Sequence, residues 1–98
     1  MSTLALEHES LAQKVVFAED SFVVYLSDGR NISVPIIWYP RLINGNKQER
    51  ANYELLGDGE GIHWPDLDED ISVEGILAGR CSGESQKSLD KWLKRRDK

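Results

Sequence analysis

The chain has 98 residues, 40% of them hydrophobic and 30% charged, with twelve Lys and Arg against seventeen Asp and Glu for a formal net charge of −5. That length supports one domain with a modest core, and no apolar run approaches the ~20 residues needed to cross a bilayer. Cys81 is the single cysteine, which excludes an internal disulfide and a cysteine-built zinc site; with no secretory pattern in MSTLALEHES, a reducing cytoplasmic location is expected.

Residues 1–13 lack a strong period and predict a loose arm. A single α+β domain is expected over 14–79, and a linker with a basic C-terminal helix over 80–98. KVVFAE (14–19) and SFVVYL (21–26) are rich in β-branched and aromatic residues and read as strands. Ser27-Asp28-Gly29-Arg30 predicts a tight turn, since Asp-Gly tolerates positive φ, and NISV (31–34) returns as a third strand. Pro35 ends it. Pro40 can open a helical turn over 40–43, Asn44-Gly45-Asn46 breaks it, and 47–52 resumes as a second short helix. Tyr53–Leu56 and Ile62–Trp64 read as two further strands around a glycine-rich turn, 57–61. Ser72 is a good N-cap for a helix that Gly79 closes. The expectation is an antiparallel sheet of about four or five strands with short helices. Its core would hold Val15, Phe17, Val23, Tyr25, Ile32, Val34, Trp38, Leu42, Leu55, Ile62, Trp64, Ile76 and Leu77.

Over 86–96, Leu89, Trp92 and Leu93 recur at i, i+3 and i+4, one apolar stripe of an amphipathic helix. Residues 91–98 carry five cations and one acid; residues 1–90 carry seven cations and sixteen acids, a net −9. An isolated helix of about eleven residues is marginal in water, so the stripe must dock. RCSGES (80–85) reads as a mobile linker that permits docking on its own domain, on a second copy or on a partner; docking between chains or on a partner is expected, with Trp92 as a candidate contact.

The segments DGR…VP…WYPRL (28–42), RANYELLG (50–57) and GEGIHWPDLDEDISVEGILAG (59–79) resemble the small bacterial domain-of-unknown-function family 2442. The resemblance covers about residues 14–79, and IHWPDLDEDISVEG is its most specific part. It implies a small α+β protein, often encoded in a gene pair that looks like a toxin–antitoxin arrangement. It supplies no catalytic residues. Some members add a helix-turn-helix, for which the nineteen residues after Gly79 are too few.

Gly57–Gly79 holds seven carboxylates and no Lys or Arg. Asp66, Asp68 and Asp70 match positions 1, 3 and 5 of an EF-hand loop, but Ile71 stands where Gly is required and Leu77 where the bidentate Glu is required. No metal and no cofactor is expected; Asp68, Glu69 and Asp70 read as a solvated loop ahead of the helix. His63 beside Trp64 could act as a base oriented by Asp66 or Asp68, yet nothing nearby reads as a nucleophile. Gly57-x-Gly59-x-Gly61 resembles a phosphate loop, but Asp58 and Glu60 would repel phosphate. Arg41, Arg50 and Arg80 are expected to pair with the 66–70 carboxylates or with a partner.

The reading that follows is a non-enzymatic interaction module, antitoxin-like, whose acidic body suits a small basic protein. The alternatives are a nucleic-acid-associated regulator using the basic tail, and a small enzyme using His63 and the Asp66–Asp70 cluster.

Overall fold

The computed structural model describes residues 10–96 and places them in two three-stranded antiparallel sheets and four short helices, an α+β architecture. The first sheet is a meander of β1 (Ala12–Phe17), β2 (Ser21–Leu26) and β3 (Asn31–Pro35) in that order. The β2–β3 turn falls where Asp-Gly predicts it. Gly29 takes φ +96°, and Asp28 accepts hydrogen bonds from both the backbone N–H and the Nε of Arg30. These bonds hold the Asp28 carboxyl down at about 2. Of the expected arm, residues 1–9 lie outside the described residues. Its last part is already in the sheet: the Ser10 hydroxyl donates to Asp28, and Ala12 opens β1 with its side chain buried.

The second sheet is β4 (Glu54–Leu56), β5 (Gly61–Trp64) and β6 (Glu69–Ser72), again in chain order. Here the acid-rich 68–70 segment departs from expectation. It is not a solvated loop: from Glu69 onward it is a strand, with Ile71 opposite Ile62, Asp70 opposite His63 and Glu69 opposite Trp64. Alternation explains this. Ile71 goes inward and Asp70 and Ser72 go outward, so a charged sequence still presents one apolar anchor to the core. Residues 65–68 make the hairpin tip, where Asp68 takes φ +52°, a conformation Asp tolerates better than most residues. Leu67 at that tip is fully buried, and a Cβ on Gly45 would come within 2.8 Å of it. The Asn44-Gly45 break thus makes room for the hairpin tip.

The two sheets meet through β1. The Ala12 N–H donates to the Gly59 carbonyl at 2.7 Å, and the Val15 N–H donates to the Tyr53 hydroxyl at 3.0 Å. Gly59 takes φ +113°, and a Cβ there would lie 2.4 Å from the Ala12 carbonyl oxygen, so only glycine fits this junction.

A single 3₁₀ turn, Ile36–Trp38, leads into α1 (Pro40–Ile43). α2 (Lys47–Ala51) starts at Asn46, which forms a reciprocal capping box with Glu49. α3 (Val73–Leu77) has Ser72 as N-cap, its hydroxyl accepting from the Gly75 N–H. α4 (Gln86–Arg96) closes the described chain.

The core lies between the sheets around Trp64, whose ring meets Phe17 and Phe22 edge-on at 6.2 and 6.1 Å. Val15, Val34, Leu42, Ile62, Trp64 and Ile76 are buried as expected. On β2 the parity is reversed: Phe22, Val24 and Leu26 are buried, not Val23 and Tyr25. Both faces of SFVVYL are apolar, so alternation alone does not choose between them. Leu55 and Leu77, 36% and 41% exposed, lie at the rim rather than in the core.

The tail corrects the sequence expectation most. Residues 80–85 are tethered at successive points: the Tyr39 hydroxyl donates to the Arg80 carbonyl, the Ser82 N–H donates to the Trp38 carbonyl, and Glu84 receives Arg41. α4 docks on its own domain, with Trp92 buried in the core cluster and Leu89 and Leu93 packed against it.

Candidate functional site

Two groupings collect the residues that carry chemistry. The first is a clasp built on Arg41, at the start of α1. Its Nε donates to Glu84 at 2.8 Å and its Nη2 donates to the same carboxylate. Its Nη1 donates to the Asp68 carbonyl at 3.0 Å. Arg41 and Glu84 side chains are each 12% exposed, so this forked pair is largely desolvated. The Ser88 hydroxyl also donates to Glu84. The bond to Arg41 lowers the Glu84 pKa, and the same bond raises that of Arg41. The Arg41 guanidinium lies 5.0 Å from the centre of the Trp92 ring, and that of Arg96 lies 4.8 Å from it. Arg96 in turn donates to Glu49, whose pKa falls for that reason.

Glu69 sits on the inward face of β6 behind this clasp. Its Oε1 is buried with no hydrogen-bond partner among the described residues. Burial pushes its carboxyl up to about 7, against the pull of Arg41. The Tyr39 hydroxyl is likewise raised, by burial first and by Glu69 second.

The second grouping lies on the outward face of the second sheet. Strand register sets Glu54 opposite His63 and His63 opposite Asp70, a carboxylate–imidazole–carboxylate row across three strands. His63 Nδ1 is hydrogen-bonded to Asp70 Oδ1, and this bond, with Glu54 and Asp68 adding to it, raises the His63 pKa. The ring therefore holds its proton further into the neutral range than a free histidine. Leu56, two residues along β4 from Glu54, is 42% exposed beside the row.

The sequence-derived candidates divide between these groupings. His63 is oriented by Asp70, not by Asp66 or Asp68. Asp66 accepts from the Asn52 side-chain amide at 2.9 Å. Arg41 does reach Asp68, but Glu84 is its main partner. Arg50 meets none of the 66–70 acids; it donates to the Leu42 and Ile43 carbonyls, and its own carbonyl accepts from the Trp64 indole. Arg80 makes no ion pair among the described residues. Trp92 fastens the tail to the domain. Ser72, the hydroxyl nearest the His63 row on β6, is occupied as an N-cap. Among the described residues, no group of three or more His, Cys, Asp or Glu is placed to hold a metal ion.

Glu84, Ser88, Glu49, Arg96 and Glu54 are the functional side chains that sequence reasoning missed. Arg41 and Glu84 are 43 positions apart and Glu49 and Arg96 are 47 apart, so no local pattern links them. Only Glu49 left a signal, as the third residue after the Asn46 cap.

Residues 12–82 match the family described as protein of unknown function (DUF2442). The chain belongs to that family. Two solved structures share the fold. One is a crystal structure of a protein of unknown function from Rhodospirillum rubrum, 27% identical with a TM-score of 0.69, covering 81% of this chain and 98% of its own. The other is a solution structure of an uncharacterised protein from Chromobacterium violaceum, 22% identical with a TM-score of 0.65, covering 92% of this chain and 82% of its own. No curated protein matches the chain.

Proposed function

We propose that this chain is a non-catalytic interaction module that presents the open face of its second sheet to a basic protein. The Glu54–His63–Asp70 row carries the reading. Two carboxylates flank one imidazole on an exposed sheet face, with Asp66 and Asp68 at the adjoining hairpin tip and Leu56 exposed at its edge. A face of that kind offers charge complementarity for register and an apolar point for affinity. Among the described residues the groups that act on His63 are carboxylates, and no hydroxyl or thiol is hydrogen-bonded to it, which favours recognition over catalysis. Within that class, an antitoxin-like partner of a small basic toxin is the narrower form. The acidic body supports it, together with the paired-gene arrangement that the family resemblance implies.

The test uses the full chain as bait in an extract of its native host. The captured protein is identified, expressed, and titrated against the double variant Glu54→Lys/Asp70→Lys. Affinity is expected to fall at least tenfold, while circular dichroism shows the variant still folded, its melting temperature lowered only by the loss of the His63–Asp70 bond. Equal affinity for the wild-type chain and the variant would remove this face from the interaction.

A further inference from the structure

We infer that the outward face of α4 is a docking surface for the phosphate backbone of a nucleic-acid duplex. This rests on the docked position of α4 and not on the open face of the second sheet. At 100° per residue, Lys87, Lys91, Lys94 and Arg95 fall within an arc of about 100° on one side of the helix. Leu89, Trp92, Leu93 and Arg96 fall within a similar arc on the opposite side. That opposite side is the docked one, since Trp92 is buried, Leu89 and Leu93 pack on the core, and Arg96 is held by Glu49. All four outward cations are exposed, and none makes an ion pair among the described residues. Asp90, the acid among the described residues of this helix, accepts from the Gln86 amide. From Lys87 to Arg95 the stripe runs about 12 Å along the axis, close to the width of a B-form major groove.

Three properties of this face select its occupant. It carries no exposed aromatic or aliphatic anchor, so it offers a protein partner charge without the desolvated contacts that supply affinity. The apolar side of the helix is already buried in its own domain and cannot enter a lipid interface. With no aromatic platform, it gives single strands nothing to stack on. What remains is attraction to a dense, regular array of phosphates. The rest of the chain is net acidic, so this cationic face is the one that charge favours for approach to such an array. Lysines reaching phosphate read no sequence, and the binding is therefore sequence-independent.

The experiment is fluorescence anisotropy of the full chain with a labelled 20-base-pair duplex of arbitrary sequence and with the matching single strand. Four phosphate contacts imply a log–log salt slope of about −3.6, so affinity should drop about a hundredfold between 50 and 200 mM salt. Lys91→Glu/Lys94→Glu should weaken duplex binding at least tenfold and flatten the slope by about two, with an unchanged melting temperature. Glu54→Lys/Asp70→Lys should leave this slope intact, which separates the two surfaces. Absence of duplex binding at 50 mM salt, equal binding by the Lys91/Lys94 variant, or single-strand binding as tight as duplex binding would each overturn the inference.

Discussion

Gly59 and Gly29 both take positive φ, but they differ in what surrounds them. At Gly29 a Cβ would meet nothing within 4 Å, so Gly29→Ala carries only the conformational cost, roughly 1 kcal/mol. At Gly59 the same methyl would collide with the Ala12 carbonyl and break the hydrogen bond that joins the two sheets. Gly59→Ala should therefore cost roughly 3 kcal/mol or more, by strain together with a lost buried contact. Urea denaturation of the two variants checks this, and equal midpoints would show the junction to be slack. The difference was not legible in the sequence. Asp28-Gly29 announces its turn because Asp and Gly are neighbours and act locally. Gly59 stood inside a glycine-rich run whose long-range partner lies 47 positions away. The clasp was hidden for the same reason: Arg41 was a visible candidate, whereas nothing in RCSGES marked Glu84 as its partner.

Among the elements, those with a local cause were readable. The meander, the broken α1–α2 segment and the Ser72 cap all followed from turn residues, Pro and Asn placement. Two failures have one root, which is that alternation gives a period but not a phase. β2 has apolar residues on both faces, and β6 hides its single buried anchor, Ile71, among acids. The C-terminal helix was readable as a helix, but its docking surface was not, because an apolar stripe does not say which surface it meets. That placement changes what truncation should do. Trp92 is 5% exposed, so Trp92→Ala should cost about 3–5 kcal/mol, and removal of residues 84–98 should cost more by also stripping Arg41 of its carboxylate. Thermal melting followed by circular dichroism checks both. A truncated chain that melts like the full one would mean that α4 contributes nothing to the fold.

For the whole molecule, charge and pH act in a definite direction. Glu69 binds its proton more tightly in the folded state than its ordinary 4.5, with a folded value of about 7. Its contribution to stability is therefore present below pH 4.5 and is lost as pH rises toward 7. His63, raised by Asp70, acts with the same sign: its contribution is full below 6.5 and is lost as pH rises through the raised value. Asp28, Glu49 and Glu84, all lowered by their cationic partners, lose their contributions as pH falls below the usual carboxylate range. Stability should peak at about pH 4.5, where the lowered carboxylates still contribute and Glu69 has not yet lost its share, and Glu69→Gln should flatten the descent that follows as pH rises toward 7. Chemical denaturation across pH 4–9 measures this, and parallel profiles for the two proteins would show that Glu69 is solvated. The capped margin of β1 bears on the chain's behaviour at high concentration. Val15-Val16-Phe17 is short, apolar and strongly β-forming, the composition from which fibrils grow when a strand margin lies open. In an antiparallel strand the N–H and C=O of alternate residues point to the same side, and the register shift between Ala12 and Lys14 moves the phase by one residue, so Ala12, Val15 and Phe17 supply the outward groups. The Gly59 carbonyl and the Tyr53 hydroxyl occupy the first two donors and leave Phe17 alone at the end. An incoming chain finds no continuous row to copy, so resistance to aggregation is built into the same two hydrogen bonds that join the sheets.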